Sequence, residues 1–283
     1  MAELLRGANV VSALNEKMAR EVEALKGRGV TPALAIIRVG ERPDDISYEK
    51  GATKRCEAVG VAVRNLVLPS DVTQGELMSS LEALNNDRSV HGILIFRPLP
   101  GHLDESATCA ALKPEKDVDG ITESSLAGVF TGSGRGFPPC TAQACMEILD
   151  HYGIDCKGKT AVVIGRSLVV GKPAAIMLMG RHATVTVCHT RTVGTPAIAR
   201  GAEILIVAAG RMESLTKEYF SPGQTVIDVG INWNDEKGNL CGDVKFEDAE
   251  PIVAAITPVP GGVGTVTTSV LVSHVVEAAK KQE

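Results

Sequence analysis

The segment Gly165-Arg166-Ser167-Leu168-Val169-Val170-Gly171-Lys172-Pro173 follows the strand-like run TAVVI (160–164) and leads into an apolar helical stretch. A strand, a glycine turn and a helix N-terminus aim backbone N–H groups and the positive end of a helix dipole at one point, where a pyrophosphate can be held. The spacing is G-x5-G rather than the common G-x-G-x-x-G, so the turn taken alone is equally an ordinary strand-to-helix connection. Arg166 and Ser167 place a guanidinium fork and a hydroxyl just beyond the first strand, donors that suit the extra 2′-phosphate of NADP. After the next strand-like run (183–188), His189-Thr190-Arg191-Thr192 supplies further donors. It offers no carboxylate of the kind that holds the free ribose 2′-hydroxyl of NAD. NADP is therefore favoured over NAD; the alternative is that Arg166 and Arg191 are solvated surface charges, as most arginines are.

Other chemistries find less support. The six histidines show no H-x-x-x-H or similar ligand spacing, so no metal is expected. The seven cysteines form no C-x-x-C pair and are odd in number, which fits free thiols in a reducing, cytoplasmic compartment. A net charge of −5 argues against the phosphate attraction of nucleic-acid binders, and 3% aromatic residues leave little for base stacking. Glu3 and Arg6 interrupt the start of the chain, so no export signal is expected there. The longest stretch without Asp, Glu, Lys or Arg (251–276) is broken by Pro258, Pro260 and three glycines and is not expected to enter a membrane.

The elements that position the turn follow one rhythm. Val10, Leu14, Met18, Val22 and Leu25 recur at spacings of four and three and predict an amphipathic helix over 7–28. Strands are expected at 33–40, 61–68 and 92–95, with helices near 47–58 and 74–85 between them. Gly132, Gly134, Gly136, Pro138 and Pro139 then cluster as a linker would, which places a domain boundary there. Beyond it come a helix at 141–152, strands at 160–164, 184–188, 203–208 and 224–229, a helix at 172–180 and a last helix at 266–281. Alternation of this kind predicts an α/β protein with parallel sheets flanked by helices in two domains.

Several motifs together resemble the methylenetetrahydrofolate dehydrogenase/cyclohydrolase family of one-carbon metabolism. They are Ser47-Tyr48 ahead of a Lys/Arg-rich helix ending in Gly60, Pro98-Leu99-Pro100, Lys116-Asp117-Val118-Asp119-Gly120 and Pro139-Cys140-Thr141. The turn Gly165 to Pro173, Cys188-His189, Asp228-Val229-Gly230-Ile231 and Pro258-Val259-Pro260-Gly261-Gly262-Val263-Gly264 continue the series in family order. The resemblance implies a folate-binding catalytic domain over 1–138, to which a terminal helix (266–283) returns, and a Rossmann-like, doubly wound NAD(P)-binding domain over 139–265. It further implies an active-site cleft between the domains, a small-molecule folate substrate and a homodimer. Carried over by motif, Gly165, Arg166, Ser167, Gly171, His189, Thr190, Arg191 and Ile231 would contact the cofactor. Asp119 would read the pterin, Tyr48 would border the reacting carbon, and Pro98, Leu99, Pro260, Gly261 and Gly262 would line the folate. A carboxylate accepting two N–H bonds suits the flat donor face of a pterin.

Two positions depart from the family. Its Tyr-x-x-x-Lys, whose lysine carries the cyclohydrolase step, reads Tyr48-x-x-x-Ala52 here, so the amine that would share a helix face with Tyr48 is missing. Lys50 and Lys54 lie roughly 200° and 240° around the helix from Tyr48. Arg55 returns to that face, but a guanidinium does not shuttle protons. The family's glutamine partner before Pro-Leu-Pro is Phe96, although Arg97 stands beside it as a possible substitute. Dehydrogenation is therefore expected to persist and cyclohydrolase activity to be weak or absent. The alternatives are a fully bifunctional enzyme and a non-catalytic folate- or nucleotide-binding protein.

Overall fold

The computed structural model describes residues 1–282. In chain order the first elements are β1 (Glu3–Leu4), α1 (Gly7–Lys26), β2 (Ala33–Val39), α2 (Pro43–Val59), β3 (Ala62–Leu68), α3 (Gln74–Asn86), β4 (Gly92–Ile95), α4 (Glu105–Ala111) and α5 (Glu123–Thr131). They are followed by α6 (Cys140–His151), β5 (Thr160–Ile164), α7 (Gly171–Gly180), β6 (Thr184–Cys188), α8 (Thr195–Arg200), β7 (Ile204–Val207) and β8 (Thr225–Asp228). The chain ends with β9 (Asn232–Asn234), β10 (Asn239–Cys241), α9 (Phe246–Ala249), β11 (Ala255–Ile256) and α10 (Val263–Lys281). Among the described residues no helix is long and apolar enough to cross a membrane.

Two compact units emerge, one of residues 1–12 with 141–267, the other of 13–140 with the chain from Thr268 onward. The first holds a parallel sheet in the order β1-β11-β8-β7-β5-β6. Its middle strands β7 and β8 are buried along their whole length, as expected where helices cover both faces. Chain order reverses around β5, which has β6 on one side and β7 on the other, and such a switch point opens a crevice at the carboxyl ends of the strands.

The start of the chain departs from the expected division. Residues 1–12 group with the six-stranded sheet because β1 pairs in parallel with β11, the Glu3 N–H reaching the Ala254 carbonyl at 2.8 Å and the Leu5 N–H that of Ile256 at 2.9 Å. A two-residue strand has no periodicity of its own, and these bonds span some 250 residues of sequence. Helix α2 likewise begins before the expected position, at Pro43, whose fixed φ suits a first helical turn and whose missing N–H is not needed there. The glycines read as a linker have a more specific use: Gly132 ends α5 in the left-handed conformation (φ +66°).

The second unit is built on a parallel sheet in the order β3-β2-β4. β2 is fully buried, whereas every residue of the edge strand β3 is exposed or half-buried. Ile37, Ile93, Ile95, Leu77 and Leu81 belong to one apolar cluster that joins the sheet to α3.

The segment from Lys116 to Gly120 is held by buried polar contacts. Lys116 is buried, and its Nζ donates to the carbonyls of Leu84 (2.8 Å) and Asp87 (2.7 Å), closing the carbonyl end of α3. Desolvation pulls the pKa of this ammonium below its usual value. Asp117, fully buried, accepts from the N–H groups of Ile121 (3.0 Å) and Thr122 (2.8 Å) and from the Ser125 hydroxyl (2.6 Å), ordering the entry to α5. Gly120 has φ +70° and lies against the Pro138–Pro139 backbone, where a Cβ would not fit. Lys116→Met should remove both carbonyl bonds at little change in volume and cost about 1–3 kcal/mol. A urea titration should show this as a lower midpoint, and an unchanged midpoint would contradict the assigned role.

Candidate active site

In the first unit, β5 passes straight into the glycine turn. Gly165 has φ +127° and lies so close to the Ala208 carbonyl that a side chain would collide with it. Gly171, the first residue of α7, is pressed in the same way against the Gly165 carbonyl. The Ser167 hydroxyl accepts the Val170 N–H (3.1 Å), and its carbonyl accepts the Lys172 N–H (3.0 Å). Both glycines are thus required by close backbone approach, which leaves the mouth of the turn open to a ligand.

A cavity of about 430 Å³ opens beside this turn at the ends of β5, β6 and β7. Gly165, Arg166, His189 and Thr190 line it, joined by Thr192, Thr195, Arg211, Ser214, Leu215 and Tyr219. No carboxylate is among the lining residues. The Arg191 N–H donates to His189 Nδ1 (3.1 Å), which leaves the imidazole proton on Nε2. The His189 N–H in turn donates to the Thr192 hydroxyl (2.9 Å). Arg191 has an exposed side chain and does not line the cavity, nor do Ser167 and Gly171. Ile231, Pro260, Gly261 and Gly262 come together around a second cavity in this unit, of about 190 Å³.

Two buried acids hold the loops around these cavities. Asp243 is fully buried and accepts from the N–H groups of Gly210 (2.7 Å) and Arg211 (2.9 Å) and from Asn232 Nδ2 (3.0 Å). Asp228 accepts from the N–H groups of Gly230 (2.9 Å), Asp243 (3.2 Å) and Val244 (2.9 Å). Burial pushes the Asp228 carboxyl up to about 7, while these backbone donors pull the other way. The sequence motif containing Asp228 therefore works structurally, by aiming the chain that carries Ile231.

The second unit gathers the remaining residues. Tyr48, on α2, is 38% exposed, yet desolvation, with the charges of Cys140 and Asp119, holds its phenol above the usual range, and a hydrogen bond with Thr268 works against them. The phenol stays protonated and can donate. Asp119 is pushed up to about 6, first by desolvation and then by Asp117, while Arg97 and a hydrogen bond from the Cys140 thiol lower it. Cys140 is buried, 3.2 Å from the Val118 carbonyl. His274 Nδ1 lies 2.8 Å from the same carbonyl and donates to it. Burial drives this imidazole down to about 4, so it is neutral, and its ring stacks on Phe137 with centroids 4.9 Å apart. Sequence reasoning did not single out Thr268, Cys140 or His274 as site residues; Thr268 and His274 stand on α10, far along the chain, with no spacing that ties them to Tyr48.

Pro98 and Leu99 follow β4 and are fixed by neighbours. Arg42 donates to the Pro98 carbonyl (3.0 Å) and the Leu99 N–H to Glu105 (2.9 Å). Glu105 also pairs with Arg97 at 3.4 Å. Ala52 is fully buried, and Phe96 meets the Tyr48 ring edge to face, with centroids 5.7 Å apart and planes at 87°. The positions of the family's amine and amide are therefore an apolar wall beside the phenol. Lys50 and Lys54 are exposed.

Comparison with known proteins matches both halves of the chain to one family. Residues 5–119 match the family model "Tetrahydrofolate dehydrogenase/cyclohydrolase, catalytic domain", and residues 139–283 match "Tetrahydrofolate dehydrogenase/cyclohydrolase, NAD(P)-binding domain". The chain is 49% identical over 281 residues to "Bifunctional protein FolD" of Carboxydothermus hydrogenoformans, covering 99% of this chain and 98% of that protein. Among solved structures it is similar to the Campylobacter jejuni bifunctional FolD enzyme, with a TM-score of 0.96, 38% identity and complete coverage of both chains. It is also similar to the Trypanosoma brucei enzyme complexed with NADP cofactor and inhibitor, with a TM-score of 0.91, 35% identity and coverage of 99% and 98%. By the match of both halves and the identity over its length, the chain belongs to the tetrahydrofolate dehydrogenase/cyclohydrolase family.

Proposed function

We propose that this protein oxidises 5,10-methylenetetrahydrofolate to the 5,10-methenyl form with NADP+ as acceptor, and that its cyclohydrolase activity is weak or absent. The observation that carries the reading is the contrast around Tyr48: the phenol is electrostatically coupled to Asp119, whereas Ala52 and Phe96 present carbon where water chemistry needs an amine and an amide.

The residues of the first unit fit a 2′-phosphorylated dinucleotide. Gly165 and Gly171 leave room for a pyrophosphate, and the adjoining cavity is lined by donors and lacks carboxylates. The solved Trypanosoma brucei relative is described with NADP. Gly165, Arg166, Ser167, Thr190 and His189 would hold the cofactor, with Ile231 beside its second cavity; Gly171 keeps the turn open and Arg191 orients His189. NADP+, when bound, supplies the hydride acceptor.

On the folate side, Asp119 accepts N–H bonds from the pterin and fixes its orientation. Tyr48 would pack beside the one-carbon bridge, and by the family resemblance Pro98, Leu99, Pro260, Gly261 and Gly262 would line the folate. The substrate's own nitrogen lone pair stabilises the cation left when hydride departs, so no protein base is needed and positioning carries the step. Hydrolysis of that cation is different, because an activated water and a proton shuttle are required. A fully bifunctional enzyme remains the second reading, favoured by the names of the relatives and by Arg97, whose charge reaches Asp119. Its engagement with Glu105 weighs against a role in moving protons. The family resemblance also carries a cytoplasmic homodimer, and the unpaired edge of β3, with Val67 48% exposed, offers a surface for a second copy.

Purified protein should reduce NADP+ when given methylenetetrahydrofolate, and added methenyltetrahydrofolate should decay at close to its spontaneous rate. Enzymatic decay comparable to the reduction rate would overturn the cyclohydrolase claim, and no reduction of either nucleotide would overturn the whole reading.

Restoring the pair with Ala52→Lys and Phe96→Gln should raise hydrolysis at least tenfold, a fraction of the roughly 100-fold or more that a positioned acid–base group supplies. Methenyl decay that stays at background in a folded double variant would show that other residues govern the step.

Asp119 gives a pH signature. Its carboxyl titrates at about 6, above the value of an unfolded chain, so folding disfavours its ionised form. The resulting destabilisation is absent below about pH 4, grows as pH rises to about 6 and is constant above that. Asp119→Asn should raise the thermal midpoint near neutral pH, by about 1–3 kcal/mol in stability, and leave it unchanged at about pH 4. The same variant should lose most of its activity. In the natural protein, KM for the folate should rise as pH falls through about 6; a flat profile would remove Asp119 from substrate binding.

A further inference from the structure

The cavity beside the glycine turn holds a second arginine that the motifs do not mark. Arg166 enters from the end of β5 and Arg211 from the loop after β7, on the other side of the switch point. Neither guanidinium has a hydrogen bond or ion pair within the protein among the described residues, in contrast to Arg38, Arg64, Arg97 and Arg181, each of which meets a carboxylate. The base of Arg211 is fixed, because its N–H and that of Gly210 are both held by the buried Asp243, and its carbonyl accepts from the Ser214 hydroxyl (2.9 Å). Asp243 is in turn tied through its own N–H to Asp228. Two unpaired cations, that of Arg211 on an anchored backbone, lining one cavity with hydroxyls, His189 and apolar side chains, form a site for a doubly charged anion.

We infer that Arg211 is a specificity-determining residue of the nucleotide cavity, contacting the 2′-phosphate of the adenosine ribose from the side opposite Arg166. The inference rests on the proposed NADP dependence and deepens it. The motif-bearing strand end supplies His189 and Thr190 as donors, and the second positive charge comes from the loop after β7 instead of from Arg191. Asp243 thus acts at a distance, as the anchor of the Arg211 loop.

The test uses the intact protein and two probes that need no turnover, 2′,5′-ADP and 5′-AMP, titrated calorimetrically. They differ only in the 2′-phosphate. The natural protein should bind 2′,5′-ADP more tightly. In Arg211→Gln that affinity should fall about 10- to 100-fold, the range for a charge-assisted bond to phosphate, while 5′-AMP changes less than about twofold. Arg211→Lys should recover part of the loss, and in steady-state assays Arg211→Gln should raise KM for NADP+ with little change in kcat. If the natural protein prefers 2′,5′-ADP and the Gln variant keeps that preference, or if the preference is lost in Arg191→Gln instead, the inference falls while the NADP reading stands. Equal losses on both probes would assign Arg211 to the 5′-phosphate and overturn the inference in the same way. No preference in the natural protein would overturn the NADP reading itself.

Discussion

Loops at the carboxyl ends of parallel strands carry backbone N–H groups that no neighbouring strand can satisfy, and in this protein buried carboxylates satisfy them. A buried donor left unpaired costs about as much as a lost hydrogen bond, so such loops hold one shape only if acceptors are built in. Asp243 binds the loop after β7, Asp228 binds the chain after β8 and the segment after β10, and Asp117 binds the turn before α5. Lys116 performs the complementary task, donating to the free carbonyls at the end of α3. Each of these groups is surrounded by the backbone dipoles it orders, which work against its desolvation. Arg211, Ile231 and Asp119 are each presented by a segment fixed in this way.

Asp119 differs from its neighbours in the same segment. Lys116 and Asp117 are consumed by backbone groups, Val118 gives its carbonyl to Cys140 and His274, and Gly120 is pressed against the Pro138–Pro139 backbone. The Asp119 carboxyl has the Cys140 thiol for a neighbour and feels the Arg97 guanidinium, and among the described residues no backbone N–H donates to it. A carboxyl without backbone donors, among neighbours whose polar groups are all engaged, has acceptor capacity to spare, and a ligand with paired N–H groups would fill it. The unfavourable ionisation is a local cost that the rest of the segment supports, as functional positions commonly are.

The legible parts of the fold were those with local signals. Apolar runs such as 92–95 and 204–207 mark strands buried on both faces, and the spacing of Val10 to Leu25 marks α1. Short helices such as α4, α5, α8 and α9 carry too few turns to show a period, and the β9–β10 hairpin has no alternation long enough to detect. The cap of α5 was nevertheless present in the sequence, with Thr122 accepting the Ser125 N–H and Gly132 ending the helix, although the glycines that follow read as a linker. In the candidate site, the turn at Gly165 was readable because backbone proximity demands glycine at both ends. Arg211 was not, since its partner Asp243 lies 32 residues away on a different loop. Cys140 and His274 are 134 residues apart and meet only through tertiary packing.

The apolar wall beside Tyr48 bears on hydride transfer as well as on water. In the proposed reaction, positive charge develops on the one-carbon bridge as hydride leaves. An ammonium about 5 Å away would oppose that charge by roughly 3 kcal/mol at an effective dielectric of about 20. A lysine that must serve hydrolysis therefore works against the preceding oxidation unless its own charge is suppressed. With Ala52 and Phe96 in those places the opposition is gone, and the carboxylate of Asp119 is left as the charge electrostatically coupled to the phenol. Dehydrogenation and hydrolysis ask for opposite electrostatics at one carbon. Replacing the amine and its amide partner together removes the compromise, whereas replacing the lysine alone would have left a polar amide facing a carbon wall without its partner.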